Sequence, residues 1–347
     1  MNNTLAKQIT FTLCETLYDF EPDKTKKIIY EVIHPKAICR YFHPLGNIET
    51  SALYEKVYAP LFYAFPDFEM RTSIYISGYD DNAEYWVGNA GYFIGTFSNS
   101  FLDIPPTGHL AHIRFHEFYK CKEGKITEIQ AIWDIPSLMM QANVWPMGPS
   151  LGQEWLVPSP ATQDGIKRNQ TETLQGERNK SLVLEMLSAM IKHPKYGDAE
   201  IMQLEKFWHP KFNWYGPSGI GSSRGIAGFR NYHQIPFLQA MPDRGQYPER
   251  TSHHFFAEEN FVAVTGWPNM AQTLSGDGWL GIAPTNKKIT LRSLDFWRLE
   301  KNKIRENWVM IDLLDIWSQV GVDVLSRMRE IAFPRTRLSK KDSNRIE

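Results

Sequence analysis

The apolar residues of this chain change period as they run, and they do so twice in the same order. Leu182, Leu184, Leu187 and Ile191, then Ile201, Leu204 and Phe207, fall at helical spacing. Further helical stretches are predicted through Tyr54 to Phe65 and through Gly228 to Ala240. Strand alternation follows around Ile74 to Gly78, Tyr85 to Phe97, Ala111 to Tyr119 and Ile126 to Trp133. Turn-forming runs such as Asp80-Asp81-Asn82 and Lys122-Glu123-Gly124-Lys125 separate these strands. Helices first and antiparallel strands afterwards predict an α+β unit, its helices covering one face of a curved sheet. Such a cone encloses an interior.

The pattern is a repeat. Ile104-Pro105-Pro106-Thr107, His112-Ile113-Arg114, Glu117-Phe118, Lys125-Ile126, Glu128 and Asp134 return as Ile282-Ala283-Pro284-Thr285, Thr290-Leu291-Arg292, Asp295-Phe296, Lys303-Ile304, Glu306 and Asp312, each 178 positions later. Upstream, His34-Pro35-Lys36 matches His209-Pro210-Lys211, and Phe65-Pro66-Asp67 matches Met241-Pro242-Asp243, with offsets two or three residues smaller. Two units result, 5–144 and 180–320. Between them, 145–179 reads as a linker, because Met147-Gly148-Pro149-Ser150 and Val157-Pro158-Ser159-Pro160 break any periodic structure. Trp145, Trp155 and Leu156 are expected to dock it on a domain surface, and 321–347 reads as a polar tail.

Composition narrows the function. A chain of 347 residues exceeds what one core usually fills. A formal charge of −1 provides no field to attract nucleic acid or an acidic membrane surface, so neither is an expected partner. Cys14, Cys39 and Cys121 are too few and too scattered for a disulfide framework and suit a reducing compartment. The N-terminus lacks the basic region of a signal peptide and no apolar run reaches membrane length, so a cytoplasmic protein is expected. No metal site is expected, since no His-x-His, His-Glu-x-x-His or carboxylate triad appears at ligand spacing. The Gly216-Pro217-Ser218-Gly219-Ile220-Gly221-Ser222-Ser223-Arg224-Gly225 run fits no nucleotide-binding pattern and is expected to be a flexible loop over a pocket mouth; no cofactor is implied.

The runs Trp208-His209-Pro210, Gly225-Ile226-Ala227-Gly228-Phe229-Arg230, Ala240-Met241-Pro242-Asp243-Arg244 and Ile104-Pro105-Pro106-Thr107-Gly108 resemble the SnoaL-like polyketide cyclases of the nuclear-transport-factor-2 superfamily. The resemblance covers nearly all of both units and implies two cone-shaped α+β barrels in tandem. Its members include cyclases, isomerases, dehydratases, epoxide hydrolases and proteins that only bind. The family's catalytic aspartate on the last strand falls on Ala131 and, in the copy, Val309, neither of which can move a proton. A second acidic position survives as Asp134 and Asp312, which are candidates either for catalysis or for capping the helix that follows.

The family's pocket-facing polar position on the neighbouring strand falls on Glu117 and Asp295. A carboxylate inside an aromatic cone has its charged form disfavoured, which moves its pKa toward the range of general acid–base work. Strand alternation adds Ile129 and Trp133 as walls. Tyr119, Trp214, Tyr215, Arg224, His253, His254, Trp267 and Trp297 complete the expected substrate-binding set, while Arg114 and Arg292 point to the opposite face as surface or inter-domain partners. The function these features imply is cofactor-independent acid–base catalysis of isomerase, lyase, hydrolase or cyclase type on a small organic molecule. The alternative is a pair of cones that bind without chemistry. An internal pseudo-dimer of the two units is expected, with a homodimer of such pairs as a further possibility.

Overall fold

A computed structural model describes residues 3–168, 174–193 and 197–333. In the first unit α1 (Asn3–Tyr18) and α2 (Pro22–Val32) precede β1 (Ile33–Tyr41) and β2 (Gly46–Ile48). Pro22 opens α2, where its missing N–H would be unpaired in any case. A third helical stretch joins α3 (Thr50–Leu53), a π turn at Tyr54–Tyr58 and α4 (Ala59–Ala64). Then come β3 (Glu69–Tyr79), β4 (Tyr85–Thr96), β5 (Leu110–Lys122), β6 (Lys125–Trp133) and α5 (Ile135–Gln141).

The second unit repeats this order. It runs through α6 (Leu174–Met190), α7 (Leu204–Phe207), β7 (Trp208–Tyr215), β8 (Ser222–Arg224), α8 (Gly225–Phe229), a π turn at Arg230–Gln234 and α9 (Ile235–Ala240). Its later elements are β9 (His254–Glu258), β10 (Phe261–Thr265), β11 (Met270–Thr273), β12 (Lys288–Leu291), β13 (Ser293–Glu300), β14 (Lys303–Ile311), α10 (Leu313–Gln319) and α11 (Val324–Ala332).

Each unit forms one six-stranded sheet, in the orders β2-β1-β6-β5-β4-β3 and β8-β7-β14-β13-β10-β9. The long strands pair antiparallel, except that β1 lies parallel to β6 and β7 parallel to β14. The sheets are open rather than closed barrels. In the second unit the strand matching β4 is broken at Trp267-Pro268, since Pro268 has no N–H to give the ladder. The far portion pairs off as a separate ribbon, β11 with β12. Asn269 bridges the break: its Oδ1 accepts from Ser293 N at 2.9 Å and its Nδ2 donates to Ser293 O at 2.7 Å.

Two stretches depart from the expected boundaries. Helix α6 begins six residues before 180, inside the expected linker, because Val183, Met186 and Met190 form an apolar stripe that extends toward Gly176. Val324, Leu325 and Met328 likewise turn the start of the expected tail into α11, capped by Asp323; residues 334–347 lie outside the described residues. Residues 145–158 of the linker are pinned. Trp308 Nε1 donates to Pro158 O at 3.0 Å, Tyr92 Oη to Val157 O at 2.9 Å, and Trp145 packs against Trp317. Leu156 is exposed instead of docked.

The units meet sheet to sheet. Even-numbered residues of β5 face the second unit: Phe118 stacks on Phe296 with centroids 5.0 Å apart, and His116 Nδ1 lies 2.6 Å from Leu294 O. Arg114 donates to Gly216 O and Val309 O. Gly88 is needed for this approach, because a Cβ there would stand 2.8 Å from the Phe296 ring. Lys7, fully buried, spans both Glu258 oxygens at 2.7 and 2.8 Å. Among the described residues no helix is long and apolar enough to cross a membrane.

Candidate functional site

The odd residues of β13 turn inward, and Asp295 reaches a cavity of about 120 Å³ walled by Trp208, Trp214, Phe229, His233, Phe237 and Trp297. This chamber opens into an outer one of about 460 Å³. Leu187, Arg244, His253, Phe255, Asn269 and Met270 border both and form the neck. The interrupted strand therefore supplies one side of the opening. Asp81 of the first unit reaches the rim of the outer chamber, held by Lys180 at 3.1 Å.

Asp295 is half-buried in the wall of this cavity. Burial raises its pKa to about 7, against the opposing effects of a hydrogen bond from Ser293 Oγ, 2.5 Å from Oδ1, and the positive charge of Arg244. The group therefore holds and releases a proton near neutrality. His233 stacks on Trp214 with centroids 4.0 Å apart, and its Nδ1 has no partner. Burial, reinforced by Arg244, pushes the pKa of His233 down to about 3, so it stays neutral. His253 at the neck is also lowered, chiefly by burial.

The first unit uses the same positions differently. Glu117 is wholly buried, with Tyr119 Oη donating to Oε2 and Trp133 Nε1 to Oε1 at 2.8 Å. Its pKa is raised by burial, which these two donors oppose. Both oxygens are engaged and rings close around them: Trp133 packs against Tyr41, Phe42 and Phe93. The repeat shows what differs. Trp133 corresponds to Ile311, Tyr119 to Trp297, and by strand register Tyr41 to Gly216. An indole and a phenol are thus lost from these two positions, although the Trp214 ring, at the position of Cys39, takes the space beside Gly216. Phe68, packed on Phe20 and Phe93, corresponds to Arg244.

Of the expected site residues, Asp295, Trp214, His253 and Trp297 come together in the cavity. Tyr119 and Trp133 serve Glu117 instead. Tyr215 points away, its hydroxyl donating to Glu306 at 3.2 Å, and Arg224 reaches Asn213 at the surface. Trp267 lies under the Arg292 guanidinium. Asp134 and Asp312 are helix caps that also tie the units together. Asp134 accepts from Ser137 N and, across the seam, from Ser218 N at 3.0 Å; Asp312 accepts from Asp315 N and from His43 N at 2.9 Å. Burial raises Asp312 to about 6, opposed by Arg292. The 216–221 loop is buried at this seam, with Gly219 N donating to Glu154, and so is no lid over a pocket.

His254 joins a grouping that spacing along the chain cannot reveal. Its Nδ1 lies 2.6 Å from Asp80 Oδ2, with Glu84 beside it, and the three ligand atoms fall within 4.8 Å of one another. Among the described residues this is the one set placed to hold a metal ion. Lys120 sits 3.0 Å from Glu84, so one carboxylate of the cluster is already engaged by a lysine. Arg244, His233 and Asn269 are among the cavity residues that pattern reading missed. Comparing Phe68 with Arg244 between the repeats is the signal that would have found the first.

A family model described as SnoaL-like polyketide cyclase matches residues 14–142 and 183–320. Solved structures similar to the chain include IdmH from Streptomyces antibioticus, 18% identical over 40% of this chain and 98% of that one, with a TM-score of 0.34. They also include a SnoaL-like polyketide cyclase from Agrobacterium tumefaciens (18%, covering 39% and 96%, TM-score 0.31). An NTF2-like protein from Burkholderia thailandensis is similar as well (16%, covering 40% and 96%, TM-score 0.31). No curated protein matches the chain significantly.

Proposed function

The chain belongs to the SnoaL-like polyketide cyclase family, which both of its halves match, and from that premise we propose that its second unit is an acid–base catalyst with Asp295 as the proton carrier. The observation that carries this reading is the position of Asp295. It lies directly across the β13–β14 ladder from Val309, where the resemblance places the family's aspartate. Opposed residues on neighbouring strands have Cβ atoms about 5 Å apart, so the carboxyl serves the same level of the cone from the adjacent strand. A pKa of about 7 suits it to take a proton from carbon and return it within one turnover.

A proton removed beside a carbonyl leaves an enolate. Returned at another carbon, the proton gives an isomer; delivered to a departing hydroxyl, it gives a dehydrated product; and the enolate attacking a second carbonyl closes a ring. All three are redox-neutral, and the apolar walls keep water from competing. The first unit supports this site as a filled structural partner, with Glu117 locked between its two donors. Three unpaired, buried cysteines suit a reducing cytoplasm.

The test is an untargeted metabolite incubation read by mass spectrometry. The wild type should make a product of equal mass, or one differing by a single water, and Asp295→Asn should not, while Glu117→Gln should retain the activity. Product formation undiminished in Asp295→Asn would refute the assignment.

A further inference from the structure

The neck of the second cavity carries a guanidinium, that of Arg244, with no carboxylate at ion-pair distance among the described residues. Three other buried or half-buried arginines have carboxylates beside them: Arg114 has Asp134, Arg292 has Asp312, and Arg298 has Glu306. Arg244 has none. Its neighbour Asp243 is occupied by Thr273 N at 2.8 Å, and Asp295 bonds to Ser293. An unpaired cation taken out of water is destabilising unless it is used. The fold does not require one here, since the first unit places Phe68 at the same position.

We propose that Arg244 binds the anionic group of the substrate, a carboxylate on a compact and otherwise apolar molecule. Arg244 borders both chambers, so the carboxylate sits at the neck while the body enters the inner chamber toward Asp295. The planar fork of a guanidinium matches a carboxylate in a bidentate pair. The inner volume of about 120 Å³ is close to that of apolar cavities that take up benzene, so a body of about one ring fits. The aromatic wall formed by Trp214, Trp297 and Phe237 suits a flat or ring-shaped group. This inference deepens the acid–base reading by naming its substrate class, and it rests on that reading only for the identity of the site.

The experiment is titration calorimetry with benzoate and its neutral isostere benzamide, which needs no turnover. Wild type should bind benzoate at least about tenfold more tightly than benzamide. Arg244→Met should bring the ratio close to one, Arg244→Lys should keep part of it, and Asp295→Asn should keep it all. Equal binding of the two probes by the wild type overturns the proposal, as does a ratio unchanged in Arg244→Met or no binding of either probe at millimolar concentration. If Arg244→Met does not fold, the wild-type ratio and the lysine variant decide. A preserved benzoate preference with turnover unaffected by Asp295→Asn would sink the catalytic reading alone.

Discussion

Replacing Asp295 with asparagine should stabilise the protein, and more so as the pH rises. The folded-state pKa of about 7 lies above the unfolded value of about 3.9. The unfolded chain therefore ionises first, and the folded state is penalised increasingly as pH climbs from about 4 to about 7, after which the penalty is constant. Three units of difference correspond to about 4 kcal/mol at full ionisation. At pH 5 only about 1.5 kcal/mol of this has accrued. Asparagine is nearly isosteric, carries no charge and keeps an acceptor for Ser293 Oγ. Urea unfolding of wild type and Asp295→Asn at pH 5 and pH 8 measures the difference directly. The variant should be more stable by about 1.5 kcal/mol at pH 5 and by about 4 kcal/mol at pH 8. A pH-independent difference, or a variant less stable at pH 8, would refute the claim that burial raises this carboxyl.

Glu117→Ala should cost about 3–5 kcal/mol without touching turnover, because Trp133 Nε1 and Tyr119 Oη lose their acceptor and a void opens in a filled core; chemical denaturation alongside the activity assay checks both halves. Lys7→Met should cost about 3–5 kcal/mol by leaving Glu258 charged and buried at the seam, and Glu258→Gln in the same chain should recover much of that loss. A double-mutant cycle in urea measures the recovery, and additive losses would contradict the account.

The repeat was legible because the 178-residue offset preserves both strand register and turn residues through the last two long strands. The family resemblance then placed Glu117 and Asp295 inside, and parity put Arg114 on the opposite face. The unequal fates of the two carboxyls were not legible, since they depend on how rings fill the space around them: Trp133 against Ile311, and Tyr41 against Gly216 with the Trp214 ring beside it. Arg244 follows a helix in a turn, where no period says which way a side chain points. Asp134 and Asp312 read as caps, but their second hydrogen bonds cross to the partner unit, and docking geometry is invisible in a single strand. The same holds for His254 with Asp80, brought together from residues 174 positions apart.

The central claim is that Asp295 carries a proton near neutral pH inside the second cone, and a ¹³C carboxyl titration of aspartate-labelled protein tests it most directly, with Asp295→Asn assigning the resonance. The account predicts a signal absent from the variant that titrates near pH 7, distinct from that of Asp312 near 6. An Asp295 signal titrating near 4, as in an open carboxylate, would contradict it.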